Sequence, residues 1–190
     1  PILMVDGVEA DFDAPVGRFI YSDLYDEASS RLDVGLIEIT APGHRMNVPD
    51  PGAATVLAET LGELPEVVCK FGQTTGETCG EPVNPYGVEI LADHRGVELS
   101  AVAATAQVCV RAGDSGGPVY ADYGGRRVIV GLVSGTREGS GDLDCSDPEA
   151  GPATMSYTSM PAIQEVIDRV IPGAEYRPRP GSDFHPIPTI

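Results

Sequence analysis

The residues of this 190-residue chain best suited to chemistry are Gly113-Asp114-Ser115-Gly116-Gly117-Pro118. A serine hydroxyl attacks a carbonyl only when a base takes its proton and hydrogen-bond donors stabilise the oxyanion that forms. Glycines on both sides of Ser115 let the backbone bend sharply and bring N–H groups close to a carbonyl oxygen, where a bulkier residue would obstruct. Ser115 is therefore the candidate nucleophile of an acyl-transfer site; the plainer alternative is a glycine turn.

The elements that must position it read as strands. Stretches rich in β-branched residues recur at 2–8, 16–21, 34–39, 66–71, 88–91, 101–110, 118–121, 128–134 and 154–159, separated by Gly, Pro, Asp and Asn. That spacing predicts an all-β barrel or sandwich rather than alternating βαβ units. The serine motif falls between the strand ending near Val110 and the one starting near Val119. One segment differs: Ile163, Val166, Ile167 and Val170 are helically spaced, with Ser159 available as a cap, Pro161 at the start and Pro172 as a stop, which predicts a single C-terminal helix. Residues 40–52 carry three prolines and two glycines and are expected to link two lobes. Residues 177–182 are polar and proline-rich and are expected to be an extended or mobile tail.

Composition narrows the class. Apolar residues make up 42%, enough for a real core in one domain or two fused lobes. A net charge of −17 repels phosphate backbones and anionic lipid, which argues against nucleic-acid and membrane partners. No apolar run approaches the roughly 20 residues of a spanning helix. Four cysteines, Cys69, Cys79, Cys109 and Cys145, allow three pairings, and their even number fits disulfides made in an oxidising compartment. Neither a Cys-x-x-Cys pair nor a Cys and His cluster occurs, so neither metal nor cofactor is expected.

With its motif between two strands, the chain resembles the chymotrypsin-like serine proteases, and more narrowly their secreted bacterial branch of streptogrisins and α-lytic protease. The setting of the motif differs from that of the Gly-x-Ser-x-Gly elbow of α/β-hydrolases, which needs a strand-to-helix turn and alternating βα units. The resemblance implies a two-lobed antiparallel β-barrel of the trypsin type, with the first barrel incomplete. It implies that Ser115 attacks the scissile carbonyl while the N–H groups of Gly113 and Ser115 form the oxyanion hole. Residues 68–80 resemble the disulfide-closed loop of the bacterial branch, which implies the pairs Cys69 with Cys79 and Cys109 with Cys145. Asp114 resembles the family's buried aspartate beside the nucleophile, and Lys70 stands where the bacterial branch places that aspartate's basic partner. An ion pair between them is expected, because an unpaired buried charge is very costly; lysine, however, lacks the forked geometry of arginine. Ser134, Gly135 and Thr136 would lie along the substrate backbone. Met155 would border the primary pocket, facing residues 110–112. With no aspartate at the matching positions, a medium apolar side chain is the expected preference.

Asp33, just before the apolar run 34–39, resembles the triad aspartate; the alternative is a bland aspartate at the start of a strand. The family order is His, Asp, Ser, yet no residue of 1–32 is histidine, and His44, His94 and His185 all follow Asp33. Together with a chain that opens in strand pattern at Pro1, this leads to the expectation that the base lies in a segment upstream. The expected organisation is 1–50 as the rest of the first barrel and linker, 51–160 as the second barrel, 161–176 as the helix and 177–190 as the tail. The expected function is a secreted, monomeric endopeptidase acting on protein or peptide substrates, inactive without its base. The alternative is a catalytically dead, protease-like binding module.

Overall fold

Strand alternation accounts for most of the architecture in the computed structural model, which describes residues 4–5, 8–9, 17–25, 32–40, 66–85, 91–92, 96, 98–99, 104–123, 126–136, 145 and 154–174. In chain order the strands are β1 (Met4–Val5), β2 (Val8–Glu9), β3 (Gly17–Ser22), β4 (Gly35–Ile39), β5 (Val68–Gly72), β6 (Gly76–Gly80), β7 (Pro82–Asn84), β8 (Leu91–Ala92), β9 (Glu98–Leu99), β10 (Ala104–Ala106), β11 (Pro118–Tyr123), β12 (Arg126–Thr136) and β13 (Met155–Ser159). They are followed by one helix, α1 (Met160–Val170). The fold is the expected all-β one, with strands pairing antiparallel throughout.

A seven-stranded sheet in the order β6-β5-β11-β12-β13-β10-β7 forms the second lobe. Its two edge strands are consecutive in sequence with only Glu81 between them, so the chain that leaves β5's side arrives beside β10. The Gln107 amide donating to the Glu81 carbonyl at 2.8 Å and the Thr78 hydroxyl donating to the Cys109 carbonyl at 2.7 Å tie this seam, giving a nearly closed barrel. β3 and β4 form a separate two-stranded sheet, the described part of the incomplete first lobe.

Because successive side chains point to opposite faces, β11 sends Val119 and Ala121 one way and Tyr120 the other, while β12 divides Val128 and Val130 from Ile129. The first set joins Val68, Val108, Val110, Met155 and Tyr157 inside the barrel. The second set meets Met160, Ala162, Ile163 and Val166 of α1 together with Leu32 and Val34, so helix and first-lobe segment share one core. Burying side chains such as Ile163 and Val166 stabilises by about 1.5–3 kcal/mol each.

The structure departs from the expected elements in three places. Residues 76–84 form strands β6 and β7 rather than only a closed loop. Of the expected strand 101–110, residues 101–103 lie outside the described residues, and among the described ones strand pairing covers Ala104–Ala106, although Val108 and Val110 stay buried. Ser159 does occupy the N-cap of α1, but its hydroxyl makes no capping bond, and Pro161 at the first turn sets the backbone instead. Residues 41–52 of the expected linker, His44, His94, His185 and the tail 177–190 lie outside the described residues. Among the described residues, no helix is long and apolar enough to cross a membrane.

Candidate active site

The turn carrying Ser115 is bound to strand β12 from both sides. The Gly116 N–H donates to the Val133 carbonyl at 2.8 Å, and the Val133 N–H donates back to the Gly117 carbonyl at 2.9 Å. Gly113 and Gly116 hold φ of 98° and 79°, a left-handed backbone that costs other residues energy and explains why glycines flank the serine. Ser115 itself is exposed. Among the described residues, no hydrogen bond engages the N–H of Gly113 or of Ser115. Two backbone donors and a hydroxyl are thus left available at one turn.

Asp114 points the opposite way, into the protein, and is 1% exposed. Its carboxylate accepts the amides of Thr74 (2.9 Å), Thr75 (3.0 Å) and Arg111 (3.0 Å), and the Thr75 hydroxyl at 2.6 Å. Lys70 Nζ lies 3.2 Å from Oδ2 of Asp114, and both side chains are fully buried. The ammonium also donates to the Thr75 hydroxyl and, at 2.9 Å, to the Gly76 carbonyl, so its donors are satisfied. Burial pushes the Asp114 carboxyl upward, but the bonds from Thr75, Arg111 and Lys70 outweigh it and hold the group far below the usual carboxylate range. For Lys70, lost hydration outweighs the pull of Asp114 and lowers its pKa.

Asp33 lies against the same β12 stretch. It sits in a three-residue turn closed by the Val34 N–H donating to the Leu32 carbonyl at 2.8 Å. Burial raises its carboxyl pKa, opposed by a hydrogen bond with Ser134. The register of β12 with β13 shifts between Val133 and Gly135, so Ser134 is bulged out of the ladder. Its hydroxyl bonds Thr158 Oγ1 at 2.9 Å, and that oxygen also donates to the Asp33 carbonyl at 3.2 Å. Ser115 is therefore one residue from the Gly116 amide that bonds Val133, and Asp33 is bonded to Ser134, so the serine turn and Asp33 meet at adjacent residues of one strand.

The other expected site residues fall as follows. Ser134 uses its hydroxyl on Asp33 and Thr158. Gly135 faces open space, and Thr136 bonds the Thr154 carbonyl at 3.1 Å. Met155 is fully buried in the barrel core with Val110. The disulfides join Cys69 to Cys79 and Cys109 to Cys145. Among the described residues, no three His, Cys, Asp or Glu side chains gather as a metal site would need.

Sequence reading missed two features: the Thr74 and Thr75 cradle around Asp114, and Asp23. The latter is fully buried. Two adjacent threonines facing a buried carboxylate across 39–40 residues of sequence leave no local signal.

Comparison with known proteins agrees with this geometry. A family model described as Trypsin matches residues 5–157. No curated protein matches the chain. Among solved structures, Thermobifida fusca protease A is 22% identical with a TM-score of 0.50, over 72% of this chain and 66% of that protein. Cellulomonas bogoriensis chymotrypsin is 21% identical with a TM-score of 0.52, over 81% of this chain and 74% of that protein. The chain thus spans about two thirds of the length of the first of these relatives and shares the fold of both. With a family match over most of its length, a nearly closed antiparallel barrel and one helix behind it, the chain belongs to the trypsin family.

Proposed function

We propose that this chain carries the Ser- and Asp-bearing part of a secreted serine endopeptidase that hydrolyses peptide bonds through an acyl-enzyme on Ser115. The observation that carries the reading is an exposed Ser115, with the N–H groups of Gly113 and Ser115 unengaged among the described residues, beside the same strand that bonds Asp33. In this mechanism the Ser115 hydroxyl oxygen bonds the scissile carbonyl carbon and its proton passes to a histidine base. The carbonyl oxygen, now negative, takes the amides of Gly113 and Ser115, and Asp33 orients the base and stabilises its charged form. Collapse expels the amine with that proton, and water then frees the acyl group.

A histidine ahead of Asp33 is required by the family order and does not occur among residues 1–32. The reading therefore assigns the base to a segment beyond these 190 residues and expects the isolated chain to be nearly inert. Two disulfides support export to an oxidising compartment. The substrate is a protein or peptide, with an apolar side chain before the cleaved bond. We further propose the division 1–50, 51–160, 161–176 and 177–190 for first-lobe remnant, second barrel, helix and tail.

The test is a fluorophosphonate probe on the full-length protein. Modification of Ser115, abolished by Ser115→Ala and lost on denaturation, is the expected result. A full-length protein with no histidine upstream of Asp33 and an unmodified Ser115 would instead support a protease-shaped binding module.

A further inference from the structure

Asp23 is a fully buried carboxylate in the 3-10 turn Asp23–Tyr25, and none of the roles above uses it. Its position relative to Asp33 is specific. Oδ2 accepts the Leu32 N–H at 2.8 Å, and the Asp23 N–H donates to the Val34 carbonyl at 2.9 Å. Leu32 and Val34 are the two residues that flank Asp33, so one side chain and one backbone of Asp23 hold both ends of the turn that presents the acid. Oδ1 accepts the Tyr21 hydroxyl at 2.7 Å and pairs with the guanidinium of Arg169 near the end of α1. Arg169 also donates to the Tyr21 oxygen at 3.2 Å, and its guanidinium lies 5.8 Å from the centre of the Tyr21 ring. A buried carboxylate without its counter-charge is costly, so the seating of α1 and the shape of the Asp33 turn are bound together.

We propose that Asp23 and Arg169 are positioning residues for catalysis, aiming the Asp33 carboxylate at the base by clamping the turn that carries it. The inference rests on the protease reading and adds to it a dependence of the acid's aim on the last helix. Misplacement by a fraction of an ångström at a triad member lowers turnover while leaving substrate contacts intact.

The experiment uses the full-length protein and a peptide p-nitroanilide with an apolar residue before the anilide. Steady-state kinetics are measured for the parent, Asp33→Asn, Asp23→Asn, Arg169→Gln and Val170→Ala. Val170 is half-buried against the same core, has an apolar side chain that can bond neither Asp23 nor Tyr21, and serves as a control that loosens α1. Asp23→Asn and Arg169→Gln are expected to lower kcat by about ten- to a hundredfold with KM within about twofold. They should also move the acidic limb of the kcat/KM profile downward, since a mis-aimed acid stabilises the charged base less. Val170→Ala should lower Tm and leave kcat within about twofold. Should Asp23→Asn fail to fold, Arg169→Gln decides alone, because that side chain is 46% exposed and its removal opens no core.

Unchanged kcat and pH profile in the folded variants, or a kcat loss that follows Tm equally in Val170→Ala, overturns the inference alone. An inactive parent, or one indifferent to Asp33→Asn, overturns the protease reading, and the positioning role falls with it.

Discussion

Lys70 is the residue at which the strand pattern breaks most sharply. Val68, Lys70 and Gly72 all face inward on β5, and a lysine there is tolerated only because Asp114 and the Thr75 and Gly76 oxygens meet its charge. Replacing Lys70 by methionine keeps the volume and strands the carboxylate. The expected cost is about 3–5 kcal/mol, read as a lower midpoint in urea unfolding at neutral pH. The pair also fixes the acid limb of stability. Asp114 is held below its ordinary value of 3.8, so in acid the unfolded chain takes up its proton before the folded one does. Its contribution is therefore complete above that value and is lost as pH falls below it, towards the folded pKa. Asp114→Asn, although less stable at pH 7, should show a flatter loss over that acid range; equal slopes in both proteins would remove Asp114 as the cause.

Among the elements, the hairpin of β5 and β6 and the segment after Val110 are each closed by a disulfide, and the two closures differ in reach. Cys69 and Cys79 are 10 residues apart and directly paired across the ladder, whereas Cys109 and Cys145 are 36 apart. In the chain-entropy account these loops correspond to about 2.7 and about 3.8 kcal/mol. Replacing both cysteines of the longer bridge by alanine should thus lower stability by about 1 kcal/mol more than the same change in the shorter one, measurable by paired urea titrations. The shorter bridge also bears on what could be read from sequence. Residues 76–84 carry Glu77, Thr78, Cys79 and Pro82 rather than an apolar alternation, because exposed Glu77 and Cys79 share one face of β6 and half-buried Gly76, Thr78 and Gly80 the other, so no apolar stripe marks the segment that folds as β6 and β7. By contrast, α1 was legible from four apolar residues at helical spacing. The serine turn was legible from glycines whose positive φ only they adopt at little cost. Lys70 and Asp114 were legible because two charges at matching family positions imply each other. Asp23 was not, since besides the nearby Tyr21 hydroxyl its partners are a backbone amide nine residues on and a guanidinium 146 residues away.

At the scale of the whole molecule, two features act against each other. The net charge of −17 keeps copies of the chain apart. The β3 and β4 sheet, however, turns apolar side chains outward: Phe19 is 74% and Ile37 51% exposed, and they stand opposite each other in register. Ile39 lies further along the same strand at 44%, while the half-buried positions on either side of Ile37 are Leu36 and Glu38. Adjacent exposed apolar side chains on a two-stranded sheet form the kind of patch that favours association. Repulsion between acidic surfaces is long-ranged in dilute salt, where the screening length is about 30 Å at 0.01 M, and falls to a few ångströms near 1 M; burial of apolar area is not screened. The 190-residue chain is therefore expected to sediment as a monomer in dilute salt and to associate reversibly as sodium chloride is raised. Phe19→Ser should weaken that association while changing stability by less than about 0.5 kcal/mol, as expected for an exposed position. A chain that stays monomeric at every salt concentration, or a Phe19→Ser variant that associates as the parent does, would show that this sheet face is not the surface through which copies meet.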